Sequence, residues 1–71
     1  MSEAEQAAAL ADRLLQAHAR LRGLDAPPEV RARLARRLIA VSDASKHDVP
    51  RAAARLERWL DDVDAGRLPQ E

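Results

Sequence analysis

Cysteine, phenylalanine and tyrosine are absent from this 71-residue chain, tryptophan occurs once and glycine twice. Each absence removes a class of protein. Without cysteine there is no disulfide staple and no thiolate cage for a metal, while the redox compartment stays open, because a thiol-free chain suits a reducing and an oxidising setting equally. Two glycines as far apart as Gly23 and Gly66 exclude the glycine-rich loop that cradles phosphate. A single indole is too little for the stacking platform on which single-stranded nucleic acid is held. Long apolar runs are missing as well. The opening Met1-Ser2-Glu3-Ala4-Glu5 is acidic, and the apolar stretch behind it is interrupted by Asp12 and Arg13. Neither a secretory hydrophobic region nor a membrane span is written there, and a cytoplasmic protein is expected.

What remains for a core is Leu, Val, Ile, Ala and Trp59. A domain of this size hides only about 60% of the surface its unfolded chain exposes, so the core is lean and the chain gains much from a partner. Eleven of the twelve basic residues are arginine and alanine is the commonest residue. That is the usage of GC-rich, bacterial coding and carries no mechanism.

Ala7, Leu10, Leu14, Ala17, Leu21 and Leu24 recur at alternating spacings of three and four, the seam of a helix that packs against others. This predicts a first helix over about 4–22, with Gly23 in the left-handed position beyond its end and Leu24 folded back on the last turn. Pro28 disfavours helix at Pro27 but suits a first helical position, and Glu29 complements the dipole there, so a second helix starts near residue 28 and runs to about 46. Its buried stripe is Val30, Leu34, Leu38 and Val41. Ala32, Ala35 and Ile39 form a weaker apolar strip elsewhere on the wheel, which calls for a third helix or a second subunit. The stretch SDASKHDVP, residues 42–50, breaks the pattern, with Asp48 as a cap and Pro50 in a first turn. A third helix over about 49–65 aligns Val49, Ala52, Ala53, Leu56, Leu60 and Val63, sets Trp59 at the edge of that stripe, and stops at Gly66 before a short tail of residues 67–71.

The arginines raise the sharpest question. Arg33, Arg36 and Arg37 share one face of the second helix, and Arg31 stands apart from them. Arg51, Arg55 and Arg58 line the outer side of the third helix, where Asp62 can pair with Arg58 one turn on. Residues 1–26 carry 3 basic and 4 acidic groups, residues 27–47 carry 5 and 2, and residues 48–71 carry 4 and 6. Only the middle segment is clearly basic. Nucleic acid binding asks for several phosphate contacts on a basic domain, and an acidic third helix would repel the same backbone. A helix-turn-helix is poorly supported, because the turn before the third helix lacks glycine and Asp61, Asp62 and Asp64 accompany its arginines. A solvated or intersubunit ion-pairing face explains the arginines with fewer demands.

Chemistry has little to build on. Asp43 and His47 stand four apart, as two metal ligands on one helical face would, with Asp48 nearby; a helix end with an Asp cap accounts for the same residues, and no His-Glu-x-x-His or Cys-x-x-Cys pattern exists. Ser42 and Lys46 have the spacing of a serine served by a lysine, but that lysine would need burial. His18 suits a half-buried bundle position. No catalytic residue, cofactor or metal is expected. Trp59 admits two readings, a residue sealing the core rim or an anchor for a partner. Leu15, Ile39 and Leu68 also lie off their main stripes, and with Trp59 they would make a patch larger than a monomer usually exposes.

The pattern of two Leu/Val helices joined by a polar turn, with a Trp-Leu pair in the second, recurs in many small helical modules and points to no family. The expectation is a single all-α domain spanning residues 1–71, a small three-helix bundle assembling as a homodimer. It would act as a non-catalytic interaction or regulatory module through an interface of Leu15, Ala32, Ala35, Ile39, Trp59 and Leu68. The alternatives are a nucleic-acid-binding transcriptional regulator using Arg33, Arg36 and Arg37, and an accessory subunit of an enzyme complex.

Overall fold

The structure is a computed structural model and describes residues 2–67. Three helices make up the described chain: α1 (Glu3–Arg22), α2 (Pro28–Ser45) and α3 (Val49–Asp64). Each boundary has a local cause. Ser2 caps α1 by accepting from the Glu5 backbone N–H at 3.1 Å, while the Glu5 carboxylate accepts from the Ser2 backbone N–H at 3.4 Å. This reciprocal box satisfies two donors that a helix start leaves without partners. Pro28 opens α2 and needs no N–H there. Asp48 caps α3, its carboxylate accepting from the Arg51 N–H at 3.1 Å.

The ends of α1 and α3 differ, although a glycine follows each. Gly66 takes the left-handed conformation, φ 74°. The Arg67 N–H then donates to the Asp62 carbonyl at 2.7 Å and the Gly66 N–H to the Val63 carbonyl at 3.3 Å, the Schellman pattern. Gly23 does not follow the left-handed expectation: its φ is −89° and it continues the right-handed turn. The reason lies eight residues on. Arg31, the arginine that stood apart on the wheel, donates from Nη1 to the Leu24 carbonyl and from Nη2 to the Arg22 carbonyl at 3.4 Å. The guanidinium caps carbonyls at the end of α1, so the chain reverses through Asp25–Pro28 without a left-handed residue.

The three helices run up, down and up. Arg13 pairs with Glu57 at 2.9 Å and Arg20 with Asp64, two links of equal sequence offset that set α1 and α3 side by side in the same direction. Short connections turn α2 back between them. The core is Leu10, Leu14, Ala17 and Leu21 from α1, Leu34, Leu38 and Val41 from α2, and Ala52, Leu56, Trp59 and Val63 from α3. Ala7, placed on the α1 seam by its spacing, is exposed, and Gln6 is the half-buried residue of that turn. A strict heptad drifts by about 20° per repeat on a straight helix, so the inward position moves off Ala7 over the last turn.

Of the two readings open to Trp59, the core is the one its burial matches. The residue is fully buried, and its indole N–H donates to the Leu34 carbonyl at 3.1 Å. Leu60, expected on the buried stripe, is only half-buried. The buried face of α3 is rotated toward α2 because a large indole with a satisfied polar end is worth more inside than a leucine. Among the described residues, no buried side-chain nitrogen or oxygen lacks a hydrogen-bond partner.

Candidate functional site

Among the described residues, two large apolar side chains stay exposed outside the core: Leu15 at 70% and Ile39 at 56%. Their directions follow from the ion pairs. Arg13 reaches α3, which fixes the side of α1 turned to α3; Leu15 lies roughly 160° around the helix from it. Arg37 reaches Asp62 of α3, and Ile39 is likewise roughly 160° away on α2. Both side chains therefore sit on the α1–α2 flank, turned from α3. Small residues continue that surface: Ala4, Ala8 and Ala11 precede Leu15 at spacings of four, three and four, and all are exposed. On α2, Ala32 is exposed and Ala35 is half-buried against the core.

Of the surface expected from spacing, Leu15, Ile39, Ala32 and the outer edge of Ala35 lie on this flank. Trp59 is withdrawn from it, being sealed in the core and occupied by Leu34. Leu68 lies outside the described residues.

The arginines are arranged across helices in a way their spacing did not show. Asp62 does not pair with Arg58. It accepts from Arg37 of α2 at 3.0 Å and from Arg67 at 3.2 Å. The Arg37 hydrogen bond holds the Asp62 carboxyl below its ordinary value, with Arg67 helping and partial burial opposing. Arg36 is exposed and Arg33 half-buried, and Arg33 has a partner of its own. The trio Arg33, Arg36 and Arg37 is therefore not three equivalent phosphate ligands, since one member is engaged by a carboxylate.

The third helix is also less repulsive than its composition suggests. Glu57 and Asp64 turn to Arg13 and Arg20 of α1, and Asp62 is held between Arg37 and Arg67. On the side of α3 turned to α2, Arg55 and Arg58 join the Asp62-paired Arg37 around a groove of about 290 Å³, where the exposed Ala40 lies over the buried Val41 and Trp59. Sequence reasoning missed this cluster because Arg37 and Arg55 belong to different helices whose rotational settings are fixed only by packing. The one available signal was that Arg55 and Arg58 fall on one face of the third helix. A second groove, of about 310 Å³, runs between the first half of α1 and the start of α3, where Leu10, Val49, Pro50 and Ala53 meet Gln6 and Arg13.

The polar turn is taken up by local structure. Asp48 is the α3 cap, the Ser45 hydroxyl donates to the Ser42 carbonyl at 2.6 Å, and Asp43 lies 3.9 Å from Lys46. The Lys46 side chain is 71% exposed, the opposite of the burial that would activate it toward a serine. His47 is exposed and His18 half-buried. Among the described residues, no group of three or more His, Cys, Asp or Glu side chains is placed to hold a metal ion. No helix among them is long and apolar enough to cross a membrane.

Fold and surfaces together define the class as an all-α three-helix bundle with an apolar flank on one side and an arginine-walled groove on another. Comparison with protein-family models, with curated proteins and with solved structures found no match.

Proposed function

We propose that the protein is a small non-catalytic interaction module that works by packing its α1–α2 flank against a second copy of itself. The observation that carries this reading is the joint placement of Leu15 and Ile39, the two large apolar side chains the bundle leaves out, on a single flank. Exposed apolar residues scattered singly are ordinary, whereas a contiguous surface is the mark of an interaction site. The alanines beside them supply the second half of the support. Small side chains let helices approach closely, and a heptad-like row of Ala4, Ala8, Ala11 and Leu15 suits a shallow helix-on-helix contact. A two-fold contact would set the same flank of each copy against the other.

Sedimentation velocity over a concentration series tests this directly. The wild type is expected to move from monomer to dimer with rising concentration, and Leu15→Gln/Ile39→Gln to remain monomeric over the same range. A wild-type chain that is stably folded and monomeric at the highest concentration sinks the self-association reading.

A further inference from the structure

The groove between α2 and α3 is made of two unlike materials. Its floor is the exposed Ala40, lying over the buried Val41 and Trp59, and its walls carry Arg37, Arg55 and Arg58. Arg37 shares its charge with Asp62. Arg55 and Arg58 are exposed and make no hydrogen bond or ion pair among the described residues. Of the acids of α3, Glu57 and Asp64 turn to Arg13 and Arg20 of α1, and Asp62 is held by Arg37 and Arg67, while Asp61 is exposed and takes part in none of these pairs. In a chain whose formal net charge is zero, Arg55 and Arg58 thus stand beside the Arg37–Asp62 pair with no ion pair of their own among the described residues.

We infer that this groove docks an acidic amphipathic helix of a partner protein. An aliphatic side chain of that helix sits on the floor at Ala40, and its Asp or Glu side chains pair with Arg55 and Arg58. Three features select this occupant. At about 290 Å³ the opening is at the lower limit for small-molecule sites, which run from about 300 to 1,000 Å³, so it fits side chains delivered from a surface better than a free ligand. An apolar floor contributes nothing to a phosphate backbone but is what an amphipathic helix requires of the groove it enters. Guanidinium forks match carboxylates bidentately, and arginine is enriched among the residues that dominate interface energies. This inference rests on the reading of the chain as an interaction module, but it uses a face separate from Leu15 and Ile39.

The probes are a synthetic helical peptide with leucines on one face flanked by glutamates, a twin with lysines in place of the glutamates, and a short DNA duplex. Binding is followed by backbone amide NMR shifts and by the emission of Trp59, the only indole in the chain. The glutamate peptide is expected to shift the amides of residues 37–41 and 55–59, and the lysine twin is not. Arg55→Glu/Arg58→Glu should weaken glutamate-peptide binding by roughly tenfold or more with the thermal midpoint unchanged, and Arg55→Gln/Arg58→Gln should do so by less. Leu15→Gln/Ile39→Gln should leave peptide binding intact, which separates failure of this inference from failure of the self-association reading. The inference is overturned if the glutamate peptide does not bind, if the lysine twin binds as well, if the arginine variants keep wild-type affinity, or if the duplex occupies these arginines and the peptide does not.

Discussion

The α2–α3 seam and the α1–α2 flank begin from similar material and end in opposite states. In each, a large apolar residue stands outside the centre of its helix's main stripe: Trp59 at the edge of the stripe on α3 and Ile39 on the weaker strip elsewhere on α2. Trp59 is fully buried with its indole N–H satisfied by Leu34, while Ile39 stays 56% exposed. Residue type does not separate them, since both lose free energy in water. Geometry does. In a bundle of three helices each helix turns one side to each neighbour, and α3 covers the sides of α1 and α2 marked by Arg13 and Arg37. Among the described residues, nothing covers the outward sides of α1 and α2, where Leu15 and Ile39 lie. The seam is finished within the monomer; the flank is the surface we propose for a second copy.

The most severe way to break the contrast is to empty the seam. Trp59→Ala should destabilise the fold by about 3–5 kcal/mol, because it leaves a cavity and removes the donor to Leu34. Ile39→Ala should change monomer stability by less than about 1 kcal/mol. Urea melts of the two variants at low protein concentration decide this, and equal losses would mean that the two residues are not in the opposite environments described.

The two glycines carry the comparison to the ends of the helices. Gly66 closes α3 at φ 74°, and although its Cβ would meet open space, an alanine there takes the backbone penalty. Gly66→Ala is expected to cost about 1 kcal/mol. At Gly23, φ is −89° and the nearest atom to an added Cβ is at 3.8 Å. Gly23→Ala should be neutral or stabilise by up to about 1 kcal/mol, through the unfolded chain. A cost at Gly23 equal to that at Gly66 would contradict the Arg31 cap described for α1.

A smaller effect is expected at Asp62, which ties the seam to the end of α3. Its carboxyl titrates below the ordinary value of 3.8 because Arg37 donates to it, with Arg67 adding to the effect. The stabilisation is therefore present above about pH 4 and is lost as pH falls through the lowered value. Asp62→Asn should melt below wild type at neutral pH, and the gap should close on acidification below about pH 4. A gap independent of pH would assign the loss to packing rather than to charge.

Much of the fold was legible from local rules. Pro28, Asp48 and Gly66 each act within one helix end, so their consequences could be read from a few neighbouring residues, and the three helix spans follow to within about a residue at each end. What depends on how one helix is rotated against another was not legible. Trp59 at a stripe's edge becomes core because α3 turns it toward Leu34, and Asp62 leaves the i,i+4 arginine for one on α2. Gly23 failed for a similar reason: the residue that replaces a left-handed cap, Arg31, lies on the next helix. The apolar flank was half visible. Leu15 and Ile39 stood out as off-stripe residues, but only the ion pairs to α3 show that both point to the same side. The arginine groove was invisible, because its walls come from two helices.

The central claim is that the α1–α2 flank is an interface between copies of this chain. Light scattering across a concentration series, at low and high salt, tests it most directly. The wild type should reach twice the monomer mass with rising concentration and keep it at high salt, since the contact is apolar, while Leu15→Gln/Ile39→Gln, with monomer stability unchanged to within about 0.5 kcal/mol, should hold the monomer mass throughout. A double variant that dimerises as the wild type does, or a wild type that never leaves the monomer mass, would contradict the account.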